Sequence, residues 1–459
     1  MLSTQHHSRR AFLRGSGGLM TASAAFAMSA ASGHAAEGAA DNRATSIAET
    51  HYYLTDVLLE TGFEREGDLV IATLTAPHAL EIRDGAIQAI LPEGAVLDPA
   101  IARYSAGGQL LLPAFRDMHI HLDKTFYSGP WRAPARSPEN TIFDQIALEE
   151  RLLPELLTTS QQRAEALIDL LLSQGTTHAR SHCNIDPVSG LRSLEHLKLA
   201  LENRKDSFTC EIVAFPQHGL LYSNSDSLMR EAMDLGVEFV GGLDPTNVDG
   251  DMAKSLDAMF QIALDHGKSI DIHTHETGPN GIAGIRYMVE TVERTPELKN
   301  RLTLSHAFAF VGLPEAEVDE LAERMAEQGI SLASTVPIGR LNMPLPQLRA
   351  RGVTLMSGTD SVIDHWSPFG TGDMLEKANL CAQLYSRGNE LSLNRALAIS
   401  SGDVLPLAED GSRAWPQPGD AAEFTLAASS CSAEAVARRS PRTATFHKGR
   451  LVFGEVAKA

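Results

Sequence analysis

Between about residues 113 and 400, short apolar runs alternate with longer stretches in which apolar residues recur every three or four positions. The runs predict parallel strands and the longer stretches predict amphipathic helices. Eight runs can be placed: one ending at Met118-His119, then 177–182, 211–215, 237–240, 269–273, 302–306, 331–334 and 353–357. Helical stretches such as Gln162 to Leu172 and Glu315 to Ala326 lie between them. Eight strands close a barrel of this kind, so the expected fold class is α/β, a (β/α)8 TIM-like barrel.

The flanks follow a different rule. Residues 69–72, 79–82 and 86–90 read as short strands, and Arg83-Asp84-Gly85 between the last two is a hairpin signal. Residues 419–426 and 444–452 read the same way near the far end. A small β-sandwich is therefore expected from both chain ends, contributed by residues 56–112 and 401–459 around a barrel at 113–400. At the start, Ser8-Arg9-Arg10-Ala11-Phe12-Leu13 precedes an Ala-rich apolar run from Gly17 to Ala31, with small residues near Gly33-His34-Ala35. That is the layout of a twin-arginine export signal over residues 1–35, with a polar linker over 36–55. The apolar run is shorter than a membrane-spanning helix needs. The expectation is a mature protein with no membrane association, delivered to the periplasm by the twin-arginine export machinery. That route carries proteins that have already folded.

Charge narrows the partners. With 39 Lys+Arg against 58 Asp+Glu the formal net charge is -19, so the long-range field repels nucleic acid and anionic lipid. A small-molecule partner is expected, and a homo-oligomer stays open. The four cysteines form no CxxC pair and read as buried thiols.

The polar residues that carry chemistry fall at strand ends on the C-terminal face, where barrel active sites sit. His119 and His121 are two apart, so an extended chain turns both imidazoles the same way, toward one ion. His273 ends the fifth run, His306 the sixth, and Asp360 follows the eighth. Such groups are costly in a core without partners, and their convergence points to a divalent metal centre. Glu276, three residues past His273, can be brought over the metal by a short turn to shuttle a proton. His306 can polarise water or stabilise an oxyanion. Gln217, just after the third run, can donate and accept, which suits an amide-like ring edge.

From about Asp56 to its end the chain resembles the amidohydrolase superfamily, and within it the cytosine deaminase group that includes N-isopropylammelide hydrolases. The resemblance rests on HIHLDK (His119 to Lys124), RSH (Arg180 to His182), FPQHG (Phe215 to Gly219), HTHE (His273 to Glu276) and LSH (Leu304 to His306). It is completed by SGTDS (Ser357 to Ser361) and WSPFGTGDML (Trp366 to Leu375). It implies that His119, His121, His273 and Asp360 hold one divalent metal, Zn2+ or Fe2+. Glu276 would then shuttle protons, with His306 beside the activated water and Asp360 counted among the catalytic groups. The run at 237–240 ends without the lysine that bridges two metals in other members, which favours one ion. Lys124 and Trp366 are candidates for contacts to a substrate ring. Ser361 departs from the group, where a second acid usually follows the metal-binding Asp, and so turns the expectation away from cytosine itself. The expected activity is hydrolytic deamination or N-dealkylation of a small N-heterocycle of pyrimidine or triazine type. Ring-opening hydrolysis of a cyclic amide or imide is the rival within enzymes. A catalytically inactive periplasmic ligand-binding protein is the rival from another class.

Overall fold

A computed structural model describes residues 47–134, 139 and 141–459. The expected export signal and the linker as far as residue 46 lie outside the described residues. The first strands are β1 (His51–Glu66), β2 (Leu69–Arg83), β3 (Ala86–Pro92), β4 (Ala102–Ser105) and β5 (Leu110–Pro113). The barrel strands follow: β6 (Phe115–Ile120), β7 (Thr176–Asn184), β8 (Thr209–Phe215) and β9 (Phe239–Leu243). They continue with β10 (Ser269–His273), β11 (Leu302–Ser305), β12 (Ser331–Ser334) and β13 (Leu355–Ser357). The chain ends in β14 (Phe424–Ala427), β15 (Arg442–His447), β16 (Arg450–Gly454) and β17 (Ala457–Lys458).

Strands β6 to β13 pair in parallel in strict sequence order, an eight-stranded sheet. The two edges meet through a parallel bridge between Ile120 and Asp360, which makes the sheet a barrel. Helices lie between the strands where the apolar spacing predicts them: Ser160–Ser173 and Glu315–Gln328 cover the two stretches named above. Their ends are specified locally. The helix Met252–His266 starts at Asp251, whose side chain accepts from Lys254 N, and stops at Gly267 in the left-handed conformation.

The second sheet has nine mostly antiparallel strands drawn from both ends of the chain. It joins β14 to β5 and buries its own apolar cluster, including Tyr52, Leu54, Phe424 and Phe446. The Arg83-Asp84-Gly85 turn connects β2 to β3, with Asp84 at φ 50 and Gly85 at φ 82, values a tight hairpin requires. Two boundaries differ from expectation. Strand β1 begins at His51, inside the expected linker, because Tyr52 and Leu54 are already buried and pair with β2. Residues 69–83 form one strand rather than two. The segment between the two apolar runs is only half-buried, so it lacks the alternation that marks a strand, yet it pairs with β1 throughout. Among the described residues, no helix is long and apolar enough to cross a membrane.

Candidate metal centre and active site

Closure of the barrel places the first group of side chains. Asp360 N donates to His119 O at 2.7 Å and His121 N donates to Asp360 O at 3.1 Å, so the end of β13 is tied to the end of β6. Gly358 makes this approach possible, since a Cβ there would sit 2.3 Å from His119 O. Asp360 and His306 have φ of 65 and 67, a left-handed conformation that non-glycine residues adopt at a cost and that collects at functional sites.

The result is a tight set of donors. Ligand atoms of His119, His273, His306 and Asp360 all lie within 4.8 Å of one another. His121 stands beside them, its Nε2 3.3 Å from Asp360 Oδ1 and 3.4 Å from His273 Nε2. His306 thus enters the donor cluster itself rather than only flanking it. Second nitrogens fix the tautomers. His121 Nδ1 lies 3.0 Å from the His182 carbonyl, and His119 Nδ1 lies 2.8 Å from Ser305 Oγ, which itself donates to Asp271 Oδ1 at 2.6 Å. Both Nδ1 atoms must therefore carry the proton, leaving each Nε2 a free lone pair. His119 Nε2, His273 Nδ1 and both His306 ring nitrogens are buried without a hydrogen-bond partner among the described residues. Orphaned imidazole nitrogens around one carboxylate fit a divalent transition metal by number and chemistry.

Electrostatics agree with that fit. Burial, reinforced by Lys124, lowers His121 to about 4, and burial holds His273 and His306 well below the usual imidazole range. Neutral imidazoles with available lone pairs follow. Burial opposes ionisation of Asp360, but the close approach of the His119 and His121 rings outweighs it and keeps this carboxyl well below its ordinary value.

Glu276 is 3% exposed, and its Oε1 accepts from Thr246 N at 2.8 Å and Asn247 N at 2.6 Å. Burial raises its carboxyl above the usual range despite those bonds, as suits a group that gives and takes a proton. Phe215, whose ring stacks on His273 at 4.1 Å, also has Lys124 Nζ 5.5 Å from its ring centre. Lys124 is buried rather than solvated, and it contacts Gln217 Oε1, with its Nζ 6.0 Å from the Trp366 ring. Ser361 is buried directly after Asp360.

Several residues that shape the site were not singled out from the sequence. Asp271 and Arg180 lie two positions before His273 and His182, and the strand period of two would have placed them on the inward side. Arg180 donates to Asp271 Oδ2 at 2.9 Å, to Glu211 Oε2 at 2.8 Å and to Thr303 Oγ1 at 3.1 Å. His182, fully buried, forms a second possible donor group with His119 and Asp271. Asp244, just past β9, accepts from His275 N at 2.6 Å and sits 3.0 Å from His275 Nδ1; its charge raises the His275 imidazole against the effect of burial. Glu149 reaches Lys124 from the helix Ile142–Leu156, a pairing that no local pattern announces.

Comparison with known proteins agrees with this geometry. Residues 160–453 match the amidohydrolase family model Amidohydro_3. The chain is 60% identical over 457 residues to the protein YahJ of Escherichia coli (strain K12), covering 99% of each. It is 31% identical over 312 residues to N-isopropylammelide isopropyl amidohydrolase of Pseudomonas sp. (strain ADP), covering 67% of this chain and 75% of that one. The crystal structure of N-isopropylammelide isopropylaminohydrolase from Burkholderia multivorans ATCC 17616 superposes with a TM-score of 0.77. It has 29% identity and covers 88% of this chain and 98% of that chain. The match over most of the barrel, together with a donor cluster able to hold a metal at its mouth, shows that this chain belongs to the amidohydrolase family and is a metal-dependent enzyme that hydrolyses carbon–nitrogen bonds.

Proposed function

We propose that the enzyme deaminates or N-dealkylates a small nitrogen heterocycle of pyrimidine or triazine type, releasing ammonia or an amine. The observation that carries this reading is the convergence at one barrel mouth of the donor cluster, the raised carboxyl of Glu276, and the polar group of Lys124 and Gln217 beside Trp366. Two relatives whose names place their action on N-isopropylammelide support it.

His119, His121, His273 and Asp360 would hold one divalent metal, Zn2+ or Fe2+, with His306 beside them. Such an ion lowers the pKa of water and withdraws charge from the attacked carbon. Glu276 takes a proton and returns it to the departing nitrogen, a role for which its raised carboxyl and its fixed Oε1 prepare it. His306 hydrogen-bonds the developing negative charge on the substrate. Gln217 and Lys124 meet the polar edge of the ring and Trp366 offers an aromatic face. Ser361, a small hydroxyl in place of an acid, leaves room for a substituent and disfavours cytosine. Export through the twin-arginine machinery to the periplasm completes the proposal and rests on the first 35 residues alone.

The experiment is turnover of a panel of substituted pyrimidines and triazines, cytosine included, by enzyme reconstituted with zinc or iron(II), read as released ammonia or amine. Higher kcat/KM for substituted or oxidised rings than for cytosine is expected. Ring opening without release of an amine, or a preference for cytosine over the whole panel, contradicts the proposal.

A further inference from the structure

A glutamine amide offers a donor and an acceptor, but the surroundings of Gln217 remove that freedom. Lys124 Nζ, 1% exposed, donates to Gln217 Oε1 and, at 3.2 Å, to Asn184 Oδ1. An ammonium has hydrogens to give and no lone pair, so only the amide oxygen can face it. The Gln217 amino group therefore points elsewhere, and among the described residues it donates no hydrogen bond.

The lysine is itself held from behind. Glu149, fully buried, has its Oε1 3.8 Å from Lys124 Nζ and accepts from Asn184 Nδ2 at 2.6 Å. The Asn184 carboxamide is thus oriented at both ends, its oxygen to Lys124 and its amino group to Glu149. Burial opposes the charge of Glu149, yet Lys124, His365 and His218 hold its carboxyl well below the usual range. The His365 and His218 Nε2 atoms lie 3.3 and 3.7 Å from its other oxygen.

We propose that Glu149 is a positioning residue that, through Asn184 and Lys124, locks Gln217 as a hydrogen-bond donor. The site then selects rings that carry a carbonyl oxygen at the facing position over rings with an amino group there. A donor that a bound ring shuts off from water and leaves facing another donor loses its bond, which gives the lock its selectivity. The ligand class rests on the functional reading above; the donor lock is a property of the chain alone.

The test is calorimetric binding of pyrimidin-2-one and 2-aminopyrimidine to the metal-loaded enzyme and to Lys124→Met, Glu149→Gln, Glu149→Asp and Gln217→Glu. The unmodified enzyme should favour pyrimidin-2-one by at least about tenfold. Gln217→Glu, whose carboxylate pairs with Lys124 and turns an acceptor toward the ligand, should reverse the preference. Lys124→Met should bring the two affinities within about threefold of each other, since the amide is then free to turn. Glu149→Gln should fall between, with Glu149→Asp recovering part of the preference. A role for Glu149 in folding alone would lower Tm and leave the ratio unchanged. Gln217→Glu adds a partner for a buried cation and decides the matter if the other variants do not fold. An unchanged ratio in Gln217→Glu or Lys124→Met, or a preference of the unmodified enzyme for 2-aminopyrimidine, overturns the proposal. Failure of both rings to bind the unmodified enzyme counts against the heterocycle reading only. The lock is then judged from crystal structures, where Gln217 holding the same place and orientation in Lys124→Met overturns it and a turned amide supports it.

Discussion

Two polar layers inside the barrel differ in how they are finished. The layer at the mouth, His119, His121, His273, His306 and Asp360, is left with unpartnered nitrogens and contains residues in left-handed backbone conformations. The layer beneath it, Arg180, Asp271, Thr303 and Ser305, is hydrogen-bonded throughout. The four histidines above and the whole layer beneath are buried, so burial alone does not mark the site. What sets it apart from the layer beneath is buried polar atoms whose partners are missing from the protein, because a folded chain ordinarily satisfies such atoms itself. On our proposal the lower layer orients and the upper layer is kept free to bind. Ser305 joins them, accepting from His119 and donating to Asp271.

If this division is right, damage to each layer has a different signature. The largest effect is expected at the proposed proton carrier: Glu276→Gln should keep the metal and lose turnover by about two to four orders of magnitude. Steady-state rates set beside metal content test this, and near-normal turnover would remove Glu276 from the chemistry. In the lower layer, Arg180→Met leaves Asp271 as a buried charge without its cation. It should cost about 3–5 kcal/mol of stability, measured by denaturant unfolding. A stability near that of the unmodified protein would mean that the lower layer is not the structural one. Ser305→Ala cuts the link between the layers, so metal affinity should fall about ten- to a hundredfold in chelator competition while the fold is retained.

The smallest effect is a control from outside the barrel. His447 in β15 is fully buried with neither ring nitrogen hydrogen-bonded, its Nδ1 lying 3.4 Å from Glu423 Oε1, and none of the possible metal-binding groups found among the described residues includes it. His447→Gln should leave metal content unchanged. Burial lowers this imidazole to about 4, below its ordinary 6.5. Between those values the unfolded chain binds more protons, so the stabilising contribution is complete above pH 6.5 and is lost as pH falls toward 4. The variant should flatten stability against pH in that window alone. A change in metal content would instead show that an orphaned imidazole is enough to bind.

The same contrast explains what could be read from the chain. The barrel was legible because each strand is a short apolar run; β10 and β12 occupy the residues the pattern marks. The donors were legible because five chemistry-bearing side chains lie at strand ends, and the motifs around them are shared with a family. The long β1–β2 ribbon was less so, since around residues 73–78 neither face is fully buried and the period of two fades. Glu149 was not legible. It sits on a helix 25 positions beyond Lys124, and only the folded barrel brings its carboxylate to Nζ. Neither was the donor polarity of Gln217, which follows from what faces it rather than from what it is.

The central claim, one metal held by the mouth layer, is tested most directly by the metal-to-chain ratio of the purified protein and of His273→Ala, Asp360→Ala and Glu276→Gln, each confirmed as folded. The account predicts one ion per chain in the unmodified protein and in Glu276→Gln, and loss of that ion in the two ligand variants. Two ions per chain, or an ion retained in both His273→Ala and Asp360→Ala, would contradict it.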